Sequence, residues 1–341
     1  LSYATNLTPY DSLISKYDID YDSVKIDEVF SIIDKEIIPK YKNIQKIKSP
    51  FIYKSDISDT KIIKEIKIKL EQLNFDFDRG RIDQSHHPFC GGATNDVRIT
   101  TRFEENILES LSALFHETGH GVYEQNRPIQ YLYEPLGQSR SLSVHESQSL
   151  LFENHIFKSQ TYFKTINTIF DDSKDLEKSF LEHYHTVRIN PIRVSADEFS
   201  YPIHVFIRYQ IEKVIFKNKI KFKDIKDLWN KKYLDYLEIK LKSDSEGVLQ
   251  DIHWYEGIFG YFPTYALGAM IASQIKYNCP LFDIFLKNPD EENIKQLIIW
   301  LNNNIHQKAS LYSSDEMLQS ISGEKLNSKY YLEHLVSRFV K

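Results

Sequence analysis

Cysteine is almost missing from this 341-residue chain: Cys90 and Cys279 are the only two. That excludes a disulfide framework and any zinc module built on cysteines. No apolar run approaches the ~20 residues that span a bilayer, so no membrane role is expected. Neither charge dominates: 43 Lys and Arg stand against 48 Asp and Glu, a formal net charge of −5. A mildly acidic chain lacks the basic footprint that displaces counterions from nucleic acid, which excludes that partner. The first residues do not combine a basic start with an apolar stretch, and the expected location is cytoplasmic. The opening Leu1-Ser2-Tyr3, without Met, reads as part of a longer or processed polypeptide.

What is present belongs to a folded chain. At 41% hydrophobic and 27% charged, it is too apolar for disorder and too evenly charged for a membrane protein. It is long enough to bury a large core. Arginine is scarce, 10 residues against 33 lysines, and nine of the ten lie between Arg79 and Arg208 among only four lysines. A chain that uses Lys wherever a positive charge suffices keeps Arg where a planar, bidentate fork is needed. Ten of the twelve His and ten of the eleven Gly also fall between positions 80 and 268. The chemistry is expected there, with the flanks as scaffold.

Residues 9–75 read as amphipathic helices, with Val29, Ile32, Ile33 and Ile37 before Pro39, then Ile62, Ile63, Ile66 and Leu70. Gly80, Gly91, Gly92 and Pro88, with the alternation Val97-Arg98-Ile99-Thr100, predict turns and a short strand over 76–101. A helix is expected from Glu104, carrying Leu111, Phe115 and Val122 on one line and ending before Pro128. Residues 129–142 read as loop. Ser143 is expected as the N-cap of the next helix, with Glu146 completing a capping box. Helices are predicted over 160–190, 203–241 and about 270–341, and an ordered functional loop over 247–268. No internal repeat, low-complexity tract or flexible linker interrupts them. The expectation is a mainly α, single-domain chain over 1–341 with a small β element near residue 99.

The strongest motif is His116-Glu117-Thr118-Gly119-His120, of the form H-E-x-x-H. Two imidazoles four apart on a helix point the same way and can share one Zn²⁺, with Co²⁺ as a substitute. Glu117 can then take a proton from a water on the metal. Gly119 and Gly121 weaken a plain helix by about 1 kcal/mol each, so a close packing partner is expected. A catalytic zinc needs a third protein ligand. No His occurs between His120 and His145, which excludes the short extended motif. Glu124 shares the helix of the His pair, and Glu134 sits in a loop beside Pro135. Glu146, heading the next helix, is the expected ligand, and Glu153 is the alternative. His145 reads as supporting the site or facing substrate.

Other constellations follow. Arg98, in Asp96-Val97-Arg98-Ile99-Thr100, either faces substrate or pairs with Asp96. Ile192-Arg193-Val194-Ser195-Ala196-Asp197 sets Arg193 and Asp197 four apart on an expected helix. Arg193 either grips a substrate carboxylate bidentately or makes an ion pair with Asp197, and the Arg–Lys partition favours the first. In Gly247-Val248-Leu249-Gln250-Asp251-Ile252-His253-Trp254, Asp251 can orient an imidazole and His253 can donate to an oxyanion. A phenol of Gly260-Tyr261-Phe262-Pro263-Thr264-Tyr265 can do the same.

Taken in order, these segments resemble the M32 zinc carboxypeptidases of the thermostable carboxypeptidase 1 type. The series is His87-Pro88-Phe89, Asp96 to Thr100, His116 to His120, His145-Glu146-Ser147-Gln148, Ile192 to Asp197, and Gly247 to Trp254. Pro9-Tyr10-Asp11 with Phe30 is similar to that family's mid-chain helical entry. The resemblance covers essentially the whole chain. It implies a neurolysin and angiotensin-converting-enzyme-like deep-cleft zincin fold, and a homodimer that removes C-terminal residues from peptides with broad specificity. It further implies that His116, His120 and Glu146 bind the metal and that Glu117 is the general base. Arg193 would hold the substrate's C-terminal carboxylate, and His253 and Tyr265 would stabilise the gem-diolate, with Tyr261 competing for the tyrosine role. The family is longer at its N-terminus, where further helices build a wall of the cleft. Two rivals remain: a zinc oligoendopeptidase on the same site, and a truncated, inactive peptide-binding homologue.

Overall fold

The computed structural model describes residues 2–86, 88–102 and 106–340. His87 of the His87-Pro88-Phe89 motif and Glu104, the expected start of the motif-bearing helix, lie outside the described residues. About 60% of the chain is helical and 6% is strand, the mainly α class with a small β element that the periodicity predicts. Among the described residues no helix is long and apolar enough to cross a membrane. The chain partitions into two compact units. One holds Leu1–Pro50, His183–Met270 and Asn327–Lys341; the other holds Phe51–Glu182 and Ile271–Leu326.

The first unit is built round the Tyr201–Phe216 helix, which opens on Pro202 and is buried without a break from Pro202 to Tyr209. A helix apolar on nearly every side is a core element. Among its polar residues His204, Arg208 and Glu212 stand about a turn apart and are fully buried. Asp22 caps the Ser23–Ile32 helix by accepting from the Val24 and Lys25 amides. Its buried line is Ile26, Phe30, Ile33 and Ile37, while Val29 and Ile32 are half-buried. Pro39 does not end it: a π-helical stretch at Ile33–Ile37 leads into Ile38–Asn43, with Pro39 in the first turn. The predicted 203–241 helix is two, Tyr201–Phe216 and Ile225–Leu237, divided near Asn218 at a left-handed φ of 52°.

In the second unit the Asp59–Gln72 helix, capped by Ser58, buries Ile62, Ile66 and Leu70. A three-stranded sheet follows. Gly80–Gln84 pairs in parallel with Asp96–Thr101, and Cys90–Ala93 pairs with the same strand antiparallel, Ala93 opposite Asp96. Val97 and Ile99 point inward and Asp96 and Arg98 outward, the period-2 alternation of a half-buried strand. The Ile107–Gln125 helix carries the H-E-x-x-H motif, capped by Asn106 and buried through Leu111, Phe115 and Val122. A Cβ on Gly119 would come 2.4 Å from the Gln148 carbonyl oxygen, and one on Gly121 would come 2.6 Å from the Phe75 ring. At both glycines another segment presses close against the helix.

The second crossing segment is the Leu142–Leu150 helix, which runs into a π-helical stretch at Leu151–Phe157. Its N-cap is Ser141, which accepts from the Val144 amide, not the expected Ser143, which lies inside the helix. Glu146 is therefore not spent on a capping box. The predicted 160–190 helix is interrupted at Asp171 and Asp172, with φ of 54° and 53°, between Gln160–Asn167 and Lys174–Tyr184.

Candidate active site

Arg98 apart, the predicted residues fall into two clusters, one in each unit. In the second unit His116, His120 and Glu146 each present one ligand atom, all within 4.8 Å of one another. Glu146 Oε2 lies 3.8 Å from His116 Nε2 and 3.5 Å from His120 Nε2. Two ligand atoms at bond lengths of about 2 Å and a tetrahedral angle are about 3.3 Å apart. Both carboxylate–imidazole separations lie close to that spacing, so the donor set suits a tetrahedral divalent cation.

The outer ring nitrogens are committed elsewhere, which turns both Nε2 atoms to this spot. His116 Nδ1 lies 2.8 Å from Glu153 Oε2. Glu153 also accepts from Lys158 Nζ at 2.7 Å and Ser112 Oγ at 2.8 Å. Glu153 is therefore the group that orients His116 and is not among the three converging donors. His120 Nδ1 lies 3.1 Å from the His145 carbonyl and 2.6 Å from His145 Nδ1. His145 Nε2 lies 2.8 Å from Glu124 Oε1, and Arg127 Nη2 donates to Glu124 Oε2 at 2.6 Å. An ionised Glu124 can only accept, so His145 carries its proton on Nε2 and takes one from His120 on Nδ1. Partners of this kind fix the tautomer of a ligating imidazole.

The electrostatics favour a cation. Burial would depress the His116 pKa, but Glu146, Glu153 and Glu117 outweigh it and hold the ring up at about 10. Burial, with the neighbouring His145, pushes His120 down to about 4. Burial likewise raises Glu117, opposed by His116 and assisted by Glu146 and Glu153, to about 7. A carboxylate poised near neutrality is suited to taking and returning a proton.

In the first unit Arg193 is 5% exposed. Its Nε donates to Asp251 Oδ1 at 2.9 Å and its Nη1 to the Tyr201 hydroxyl at 2.8 Å, while its backbone N–H donates to Gln250 Oε1. Its Nη2 makes no hydrogen bond among the described residues. Burial opposes its charge, but Tyr201, Asp251 and Tyr265 keep the guanidinium firmly protonated. The cation also lies 5.0 Å from the Tyr265 ring centre. His253 Nε2 is 3.1 Å from the Tyr265 hydroxyl, and the His253 ring packs 5.4 Å from that of Tyr261. Burial, reinforced by the charge of Arg193, lowers His253 to about 4, so near neutral pH the ring is uncharged and can donate from one of its nitrogens.

Several expectations need correction. Arg193 lies on a single 3₁₀ turn, Arg193–Ser195, not on a helix, and Asp197 pairs with it in no way: Asp197 accepts from the amides of Arg188, Phe199 and Ser200. Asp251 orients no imidazole, because its oxygens are taken by Arg193 and by Arg208 Nε at 2.6 Å. Arg98 makes the ion pair with Asp96, its Nη2 at 2.7 Å on an exposed strand face. The sequence reading also missed residues. Arg208 and Gln250 brace Asp251 and Arg193, and Glu212 receives the indole of Trp254. The available signal was His204, Arg208 and Glu212, four apart in a mostly apolar helix.

A mainly helical scaffold holding two imidazoles, a carboxylate and an adjacent base is that of a metal-dependent peptidase. The chain belongs to the carboxypeptidase Taq (M32) metallopeptidase family, which matches residues 2–339, and is a metallocarboxypeptidase. It is 36% identical to carboxypeptidase 1 of Bacillus subtilis over 97% of its own length and 68% of that protein. Its fold is similar to that of metallocarboxypeptidase 1 of Trypanosoma cruzi, with a TM-score of 0.87 at 33% identity over 100% of this chain and 74% of that one. The M32 carboxypeptidase of Deinococcus radiodurans gives a TM-score of 0.88 at 29% identity, over 98% and 70%.

Proposed function

We propose that this chain is a zinc carboxypeptidase of broad specificity, which removes C-terminal residues from peptides by attack of water on the last peptide carbonyl. His116, His120 and Glu146 would hold the metal, which when bound supplies Lewis acidity to that water and carbonyl. Glu117 takes the proton from the attacking water and delivers it to the leaving amine. Arg193 holds the terminal carboxylate through Nη2, a charge-assisted bond worth more than a neutral one. His253 and Tyr265 donate to the developing oxyanion, with Tyr261 as the other candidate phenol. Asp251 and Arg208 keep Arg193 in place, and His145 steadies His120. We assign no step to Arg98.

The observation that carries the reading is Arg193: a buried guanidinium with two nitrogens anchored and one uncommitted. Such a fork selects chains that end in a carboxylate. Its test compares one peptide as free acid and as C-terminal amide. The wild-type chain is expected to release the last residue of the acid and leave the amide nearly intact. Arg193→Ala should lower kcat/KM for the acid by about 100-fold, the loss of a buried charge-assisted bond, and hardly change the amide. Equal cleavage of both peptides, or cleavage at internal bonds, would make it an endopeptidase.

A further inference from the structure

Glu212 lies buried in the Tyr201–Phe216 helix, one turn beyond Arg208. A carboxylate so placed is costly unless its lone pairs are satisfied, and three neutral donors satisfy them. Trp254 Nε1 donates to Oε1 at 2.7 Å. The Tyr10 hydroxyl, at 2.8 Å, and the Gly260 amide, at 3.0 Å, donate to Oε2. Trp254 directly follows His253, and Gly260 directly precedes Tyr261. One carboxylate therefore ties both ends of the segment that His253 and Tyr261 flank. Gly260 sits at φ +84°, and a Cβ there would come 2.7 Å from the Ile14 amide nitrogen, in the same Pro9–Ile14 helix that supplies Tyr10. Just outside the loop so pinned, the His253 ring packs 4.4 Å from Phe262 and its Nε2 faces Tyr265. A glutamine could keep at most two of the three bonds, because its amide nitrogen would face either the indole N–H or the Gly260 N–H.

We propose that Glu212 is a positioning residue: by tying Trp254 and Gly260 to Tyr10, it holds His253 beside Tyr265, where His253 stabilises the transition state. This rests on the function proposed above. The energetic logic is that of preorganisation, in which a donor displaced by an ångström loses most of its effect on rate while substrate still binds.

The test measures kcat and KM on a free-acid peptide for the wild-type chain and Glu212→Gln, each also in a His253→Ala background. Glu212→Gln should lower kcat about tenfold or more, the scale of one orphaned buried N–H, with KM changed less than about twofold. In the His253→Ala background the same substitution should change kcat less than about threefold, because the group it acts through is gone. Glu212→Gln should also shift the indole emission, and that shift should vanish when Trp254→Phe is added. If Glu212→Gln fails to fold, Trp254→Phe alone, which removes one donor and leaves the carboxylate, is expected to give the same kinetic pattern. An unchanged kcat, or equal losses in both backgrounds, would overturn the proposal and leave Glu212 a generic core residue. A wild-type chain inactive on free-acid peptides would instead remove the function on which it rests.

Discussion

Two buried carboxyls, Glu117 and Glu212, are both raised to about 7, for reasons that differ in kind. Glu117 is raised by burial with two further carboxylates nearby and one imidazole opposing them, which suits a group that must exchange a proton. Glu212 is raised by burial alone, against the pull of Trp254, Gly260, Tyr10 and Arg208. Its charged form is thus stabilised by donors but never fully compensated. A carboxyl that releases its proton more readily once unfolded favours the unfolded state as pH rises. Between about 4.5, its ordinary value, and 7, Glu212 should cost the fold up to about 3 kcal/mol. Glutamine does not titrate, so the stability gap between wild type and Glu212→Gln isolates this group. Denaturant midpoints at pH 5 and pH 8 should show the wild type losing ground to the variant at the higher pH; a gap independent of pH would contradict this. Glu153 shows the opposite case: burial there is outweighed by Lys158 and His116, which hold it well below the usual carboxylate range.

At the scale of elements, the site depends on how closely the Ile107–Gln125 and Leu142–Leu150 helices approach. By helix propensity alone, Gly119→Ala should stabilise by about 1 kcal/mol. The new Cβ would stand 2.4 Å from the Gln148 carbonyl and 2.7 Å from Ser149 Cα, both backbone. Helices must separate to admit it, and such overpacking costs about 1–3 kcal/mol. The substitution is expected to lower the denaturant midpoint and weaken metal binding, since Glu146 rides on the displaced helix. A gain in stability would contradict this packing.

Legibility followed the same boundary between local pattern and distant contact. The H-E-x-x-H helix, the strand near Ile99 and the close approach at Gly119 and Gly121 are local patterns, and the sequence announces them. The cap at Ser141 instead of Ser143 turns on a hydrogen bond that two nearby serines could equally make. Asp251's attachment to Arg193 and Arg208 joins residues 58 and 43 apart in the chain, beyond the reach of any periodicity. The clustering of arginines pointed to the right stretch but not to one role. Arg193 and Arg208 brace one cluster, Arg127 supports Glu124, and Arg79, Arg81 and Arg98 pair with neighbouring aspartates.

At the scale of the whole molecule, membership of the M32 family over residues 2–339 fixes the class of chemistry, while the chain spans 68% of its Bacillus subtilis relative. Whether this length performs the whole reaction is a question of direction and of metal dependence together. Both are read most directly by mass spectrometry of a mixed peptide pool, incubated with the wild-type chain, with a chelator present, and with Glu117→Gln. The account predicts stepwise loss of C-terminal residues that stops with the chelator, and a Glu117→Gln variant that keeps its metal but loses turnover by at least about 100-fold. Internal fragments, trimming that survives chelation, or undiminished trimming by Glu117→Gln would contradict it.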